Sequence, residues 1–183
     1  MWGCGGTVKI REYDPDRDRH GVRKCFVELQ DFERDLDPRM PSGELVADSY
    51  LSLMFRRCVE FSGVVLVADV DQQVAGFVTV WTKYHSVEPD DGPREYGFIS
   101  DLVVSSTYRR RGIGRALLGA AEMRARKAGT SSLQLSVKAG NEGAMALYSA
   151  EGFVESEIYL EKALVIGNGP TREDDEDSSG VAD

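Results

Sequence analysis

The stretch Glu95-Tyr96-Gly97-Phe98-Ile99-Ser100-Asp101-Leu102-Val103-Val104, with Arg109-Arg110-Arg111-Gly112-Ile113-Gly114-Arg115-Ala116-Leu117-Leu118 close behind it, decides how this chain folds. The first part is rich in aromatic and β-branched residues and reads as a strong strand. The second changes period. Ile113, Ala116, Leu117, Ala120 and Ala121 fall on one helical face, so a helix runs from Arg115 to Ala128 and stops at Gly129. A strand therefore feeds a helix through a short turn of glycines and arginines.

Upstream, Val8 to Tyr13 alternates as a first strand. Asp16 or Asp18 caps a helix through Leu36, and Asp37-Pro38-Arg39-Met40-Pro41 breaks it. Ser42 caps a second helix reaching toward Phe61. Val64 to Val70 and Val74 to Tyr84 form a hairpin about Asp71-Gln72, and Ser86 to Arg94 is a loop. Downstream, Leu133 to Val137 is a strand, Asn141 to Glu151 a short helix, and Phe153 to Leu164 a last long strand. Paired strands at the front and strand–helix–strand at the back predict an α/β fold. Its central sheet is mixed and mostly antiparallel, with helices on both faces and a right-handed parallel crossover at the rear.

The chain has 183 residues, 42% hydrophobic and 29% charged, which suits one domain over residues 1–166. Residues 167–183 set Arg172 against Glu173, Asp174, Asp175, Glu176, Asp177 and Asp183, so over half of the net charge of −9 sits there. Such a segment buries too little apolar surface to order itself. The acidic remainder argues against nucleic acid as a partner, because phosphates are repelled. No stretch nears the ~20 apolar residues of a membrane span, and the first residues do not read as a signal peptide. Cys4, Cys25 and Cys58 form no C-x-x-C pair, and His20 and His85 are the only imidazoles, so no metal site is expected. Reduced thiols and a cytoplasmic location are the expectation.

The glycine turn is where chemistry concentrates. A helix N-terminus leaves N–H groups unpaired and carries about half a positive charge. Gly112 and Gly114 let a ligand oxygen approach the backbone, and Arg109, Arg110, Arg111 and Arg115 supply guanidinium groups suited to phosphate. No P-loop string is present. The dinucleotide fingerprint fails because Leu117 stands where its third small residue belongs. Taken alone, the glycines and arginines also fit a solvated turn.

The string Arg109 to Leu118 resembles the R/Q-x-x-G-x-G/A signature of the GNAT-superfamily N-acetyltransferases. The resemblance extends upstream through Ile99-Ser100-Asp101-Leu102-Val103-Val104. Downstream it takes in Asn141-Glu142-Gly143-Ala144-Met145-Ala146-Leu147-Tyr148 and Gly152-Phe153, and the element order of residues 7–165 matches too. It implies a GNAT-like fold and acetyl-CoA as co-substrate, with backbone amides of Arg110, Arg111, Gly112, Ile113, Gly114 and Arg115 around the pyrophosphate. It further implies that Leu102, Val103 and Val104 pair with the pantetheine arm, that Asn141 contacts the cofactor, and that Tyr148 stands near the sulfur as general acid. By its spacing alone Tyr148 also fits a core stripe with Ala144 and Leu147.

The implied reaction is acetyl transfer to a primary amine of a small molecule or amino acid in a ternary complex. The rivals are a protein or peptide N-acetyltransferase and a non-catalytic acyl-CoA sensor. A homodimer is common among proteins of this kind. Some relatives carry Glu where this chain has Ser100, which leaves the base open among Glu95, Asp90, Asp91 and water relayed by Ser100. Asp101 is adjacent, but strict strand alternation points it to the opposite face from Ser100. The resemblance implies that the acceptor is read by the first helices and the loop after the hairpin, here Glu28, Asp31, Glu33, Asp35 and Asp37, then Tyr84, His85 and Glu88; taken alone, most of these acids also fit a solvated helix face.

Overall fold

The computed structural model describes residues 7–85, 94–162 and 164. Five strands, β1 (Val8–Glu12), β2 (Val64–Val70), β3 (Gln73–His85), β4 (Glu95–Val104) and β5 (Leu133–Leu135), lie side by side in chain order. Four helices accompany them: α1 (Pro15–Leu36), α2 (Gly43–Glu60), α3 (Ile113–Lys127) and α4 (Glu142–Ala150). The first three strand pairings are antiparallel and the β4–β5 pairing is parallel. That is the mixed, mostly antiparallel sheet that the order of sequence patterns predicts.

Alternation along the strands splits the core in two. Val65, Val67, Phe77 and Val103 pack with Val22, Phe26, Leu51 and Met54 of α1 and α2. Leu66, Ala68, Val78, Val80 and Ile99 pack on the other face with Ile113, Leu117, Leu118 and Ala121 of α3. Helices therefore cover both faces. Ala116, placed on the apolar face of α3 by its spacing, is exposed, and Leu118 is buried instead.

Two predicted caps are replaced. Asp14 caps α1 by accepting from the Asp16 amide at 3.0 Å. Asp18 is drawn inward, where Arg11 clasps both its oxygens at 2.5 and 2.8 Å and the Asp14 amide donates at 2.8 Å. Ser42 occupies the N-cap of α2 without a side-chain bond; Asp31 of α1 accepts from the Gly43 amide at 2.7 Å in its place. Gly43 lies against Val27, where a Cβ would come within 2.7 Å of the Val27 carbonyl oxygen. The two helices thus meet backbone to backbone.

Residues through Phe153 form one compact body. The predicted last strand, Phe153 to Leu164, is a correction: residues 153–162 carry neither strand nor helix. Strand-favouring composition supplies no neighbouring backbone, and a strand is stable only where its N–H and C=O groups find one. The predicted strand Leu133 to Val137 likewise ends at Leu135, where its pairing to β4 ends.

Asp18 has 1% side-chain exposure and Arg11 16%, so removal of the acid takes away two bonds of a largely buried guanidinium and leaves Asp69 as its remaining carboxylate. Asp18→Ala should cost about 1.5–3 kcal/mol in urea denaturation at pH 7. Burial alone would raise the Asp18 carboxyl, but the bonds from Arg11 and from the Asp14 amide hold it below its ordinary value. The stabilisation is therefore complete above about pH 4 and fades as acid protonates the folded form, so the deficit of the variant should shrink below that pH.

Candidate active site

Strand β4 pairs with β3 along its length but meets β5 only over Gly97 to Ile99. Beyond Ile99 the two parallel strands part, and the β5 side of the strand backbone from Ser100 to Val104 has no strand neighbour among the described residues. A bulge coincides with this parting. Thr79 pairs with Asp101 and Val80 with Ile99, leaving Ser100 as one extra residue on β4. The extra residue resets the alternation: Ile99 and Leu102 pack on the α3 face, while Val103 packs under α1 and α2.

The bulge overturns the expectation that Ser100 and Asp101 point apart. The Ser100 hydroxyl donates to Asp101 Oδ2 at 2.6 Å, and the Tyr50 hydroxyl of α2 donates to Asp101 Oδ1 at 2.6 Å. Asp101 is 4% exposed. Burial lifts its carboxyl above the ordinary range despite these bonds, and burial beside Asp101 likewise pushes the Tyr50 phenol upward.

After β4, a 3-10 turn over Ser106–Tyr108 leads to the glycines. Arg110 has φ +64° and Gly112, the N-cap of α3, has φ +76°. The left-handed conformation at Gly112 is what demands glycine there, since open space surrounds its Cα. At Gly114 the demand is packing: a Cβ would lie 3.2 Å from Leu147 Cδ2 and 3.7 Å from Val104 Cγ2. The Ala116 amide makes the first turn's bond to the Gly112 carbonyl at 3.0 Å, and helix geometry leaves the amides of Ile113, Gly114 and Arg115 without intrahelical acceptors.

The arginines divide. Arg109 Nε donates to the Val104 carbonyl at 3.1 Å, and its guanidinium lies over Phe32. Arg111 lies over Tyr108, and Arg115 Nε bonds Glu151 at 2.5 Å. Arg110 is exposed at the turn. Asn141 caps α4, its Oδ1 accepting from the Ala144 amide at 3.1 Å. Tyr148 packs against Phe153 with ring centroids 5.8 Å apart, and burial, with the nearby Glu33 charge adding to it, pushes its phenol up to about 12.

Of the acids assigned to the acceptor, three are committed elsewhere. Glu28 accepts from the Ser106 amide at 2.8 Å and the Ser105 hydroxyl at 3.0 Å, Asp31 caps α2, and Asp37 pairs with Arg39. Glu33 is half-buried, and burial raises its carboxyl; the Asp101 charge adds to the rise and Lys138 opposes it. Glu88, Asp90 and Asp91 lie outside the described residues. Cys25 and Cys58 are free, and burial pushes their thiols to about 12 and about 11, values of unreactive side chains.

A parted pair of parallel strands beside a glycine-initiated helix meets a direct match in a family model. Residues 29–153 match the acetyltransferase (GNAT) family. The chain belongs to that family. It is similar to a mycothiol acetyltransferase of Renibacterium salmoninarum, with 32% identity over 147 residues covering 80% of this chain and 40% of the relative. It is also similar to the ribosomal protein bS18-alanine N-acetyltransferase of Escherichia coli strain K12, with 41% identity over 58 residues covering 32% of this chain and 39% of that enzyme. The chain thus spans well under two thirds of the length of these relatives. Its fold matches an aminoglycoside N-acetyltransferase AAC(6')-Iy solved in complex with CoA, at a TM-score of 0.62 and 17% identity, over 90% of this chain and 99% of that one.

The residues of the site fit such a cofactor. The amides of Ile113, Gly114 and Arg115 face no helical acceptor, open space surrounds Gly112, and β4 lacks a strand neighbour beyond Ile99. Sequence reasoning missed Tyr50 as a partner of Asp101 and Glu28 as the tie that fixes the start of the turn. Glu28→Gln should weaken that tie by about 1–2 kcal/mol in denaturation at pH 7. Burial alone would raise the Glu28 carboxyl, yet the Ser106 and Ser105 bonds hold it below its ordinary value. The difference between wild type and variant should therefore vanish as pH falls below about 4.

Proposed function

We propose that the chain transfers an acetyl group from acetyl-CoA to a primary amine of a small molecule or amino acid, by direct attack in a ternary complex. The single observation that carries this reading is the opening at Ser100, where β4 leaves β5 beside the N-terminus of α3. An extended pantetheine arm adds there as a strand would, along the β5 side of Leu102 to Val104, where no strand neighbour stands among the described residues. The amides from Arg110 to Arg115 receive the pyrophosphate.

Acetyl-CoA supplies an activated acyl carbon; the protein supplies alignment and protons. Tyr148, pushed up to about 12, stays protonated at neutral pH and is suited to donate to the leaving sulfur. Glu33, whose carboxyl burial raises with the Asp101 charge adding to it, makes the acceptor side attractive to a cation. The acceptors in the relatives' names, mycothiol, an alanine of ribosomal protein bS18 and an aminoglycoside, differ too widely to choose among.

The direct test is thiol release from acetyl-CoA across amines, amino acids, aminoglycosides and short peptides. Release with a small amine supports the reading. Release with peptides alone turns it to a protein acetyltransferase, and CoA binding without any release turns it to a sensor. Gly114→Val, which drives a side chain into Leu147 at the helix mouth, should lower CoA affinity at least tenfold, about 1.4 kcal/mol, in calorimetry while the circular dichroism stays native. Unchanged affinity removes the pyrophosphate assignment. Tyr148→Phe should cut kcat roughly a hundredfold and leave CoA affinity within about threefold; an unaffected rate returns Tyr148 to the core.

A further inference from the structure

Resting on the transferase reading, we infer that Ser100 and Asp101 form a two-step proton relay, in which Ser100 Oγ takes the proton of the acceptor amine while passing its own to Asp101 Oδ2. Asp101 thus acts as the general base without touching the substrate.

Four observations carry this inference. Asp101 is almost wholly buried, so a substrate nitrogen has no direct path to its carboxylate. Ser100 is half-buried, and it is the first residue of β4 beyond the last β5 pair, at the edge of the opening. The bulge turns the two side chains together, at 2.6 Å, where regular pleating would separate them. Both carboxylate oxygens accept hydroxyl protons, from Ser100 and from Tyr50, which is the pattern of an ionised acceptor ready to take one of them. Because Ser100 donates to Asp101, its oxygen lone pairs remain to receive a proton from the opening.

The groups facing Asp101 come from every element packed on it: Tyr50, Arg57 and Cys58 from α2, Thr79 from β3, and Glu33 from α1. Tyr50 is a positioning residue. Its bond fixes the carboxylate plane and leaves Oδ2 to Ser100. Burial raises the carboxyl, the direction that makes a carboxylate a better base.

The balance is complete without another reactant. One N–H proton moves to Ser100 Oγ as the Ser100 proton moves to Oδ2. The nitrogen pair bonds to the acetyl carbon, the C–S bond breaks, and Tyr148 protonates the departing sulfur. Asp101 releases this ammonium proton to water, and the second N–H proton, lost by the nitrogen once it has bonded to the acetyl carbon, passes through water to restore the Tyr148 phenol.

The test uses the full chain and the best amine from the thiol-release panel. Ser100→Ala should lower kcat about a hundredfold with CoA affinity unchanged, while Ser100→Thr, which keeps the hydroxyl, should stay within about fivefold of wild type. The wild-type proton inventory in mixed H2O and D2O should be curved, as two protons in flight require, and Ser100→Ala should abolish the curvature. Asp101→Asn should remove the acid limb of the kcat/KM profile; should it fail to fold, the Ser100 pair decides alone. Tyr50→Phe should move that limb rather than erase it. Wild-type rates and a curved inventory in Ser100→Ala overturn the relay while the transferase reading stands. A wild type that releases no thiol with any amine overturns both.

Discussion

Strand β4 is asked to satisfy two neighbours that diverge. It holds β3 to its end, while β5 leaves after three pairs, and the extra residue at Ser100 falls where the hydrogen-bonding demand on the strand changes. Backbone groups left without a strand partner are costly if buried and dry. Their presence beside an open turn supports the proposed docking of an extended ligand along this stretch. The position of α3 follows from the same parting, because the crossover from β4 to β5 must pack over the face that Ile99, Leu102 and Val104 present.

Charge is spent mostly on fastening. Arg11 joins β1 to α1 through Asp18 and reaches Asp69 of β2, and Arg17 meets the same Asp69. Glu28 joins α1 to the segment after β4, and Asp31 joins it to α2. What is left on the concave side is a small set: Glu33 from α1, Tyr50 from α2, Ser100 and Asp101 from β4, with Tyr148 of α4 near Glu33. Each carboxyl in that set is shifted upward by burial, in contrast to the fastening acids Asp18, Glu28 and Asp37, which are held down by their donors.

Features written in local pattern were legible. The strand Glu95 to Val104, the helix after Gly112 and the short helix from Asn141 all rest on composition and spacing within a few residues. Features that depend on a distant partner were not. The run Phe153 to Leu164 carries the Val, Ile, Tyr and Phe that favour strands, but nothing in it names a neighbour. The bulge escaped for a related reason: one extra residue is visible only against the register of β3, so Ser100 and Asp101 were assigned to opposite sides. Among the acids of α1, spacing could not tell fastening groups from Glu33, since that depends on which way each turn faces.

Helix α1 carries Glu28 and Glu33 on neighbouring turns, one tied to Ser106 and the other beside Asp101 and Tyr148. It is also locked to α2 at Gly43, where backbone meets backbone and no sliding is available. A rod so fastened conveys displacement rather than absorbing it. Glu33 and the Ser106 turn are thereby carried by one and the same helix. Any two ligands seated at those ends share one interaction energy, equal in both directions, so the order in which they arrive cannot alter their total affinity.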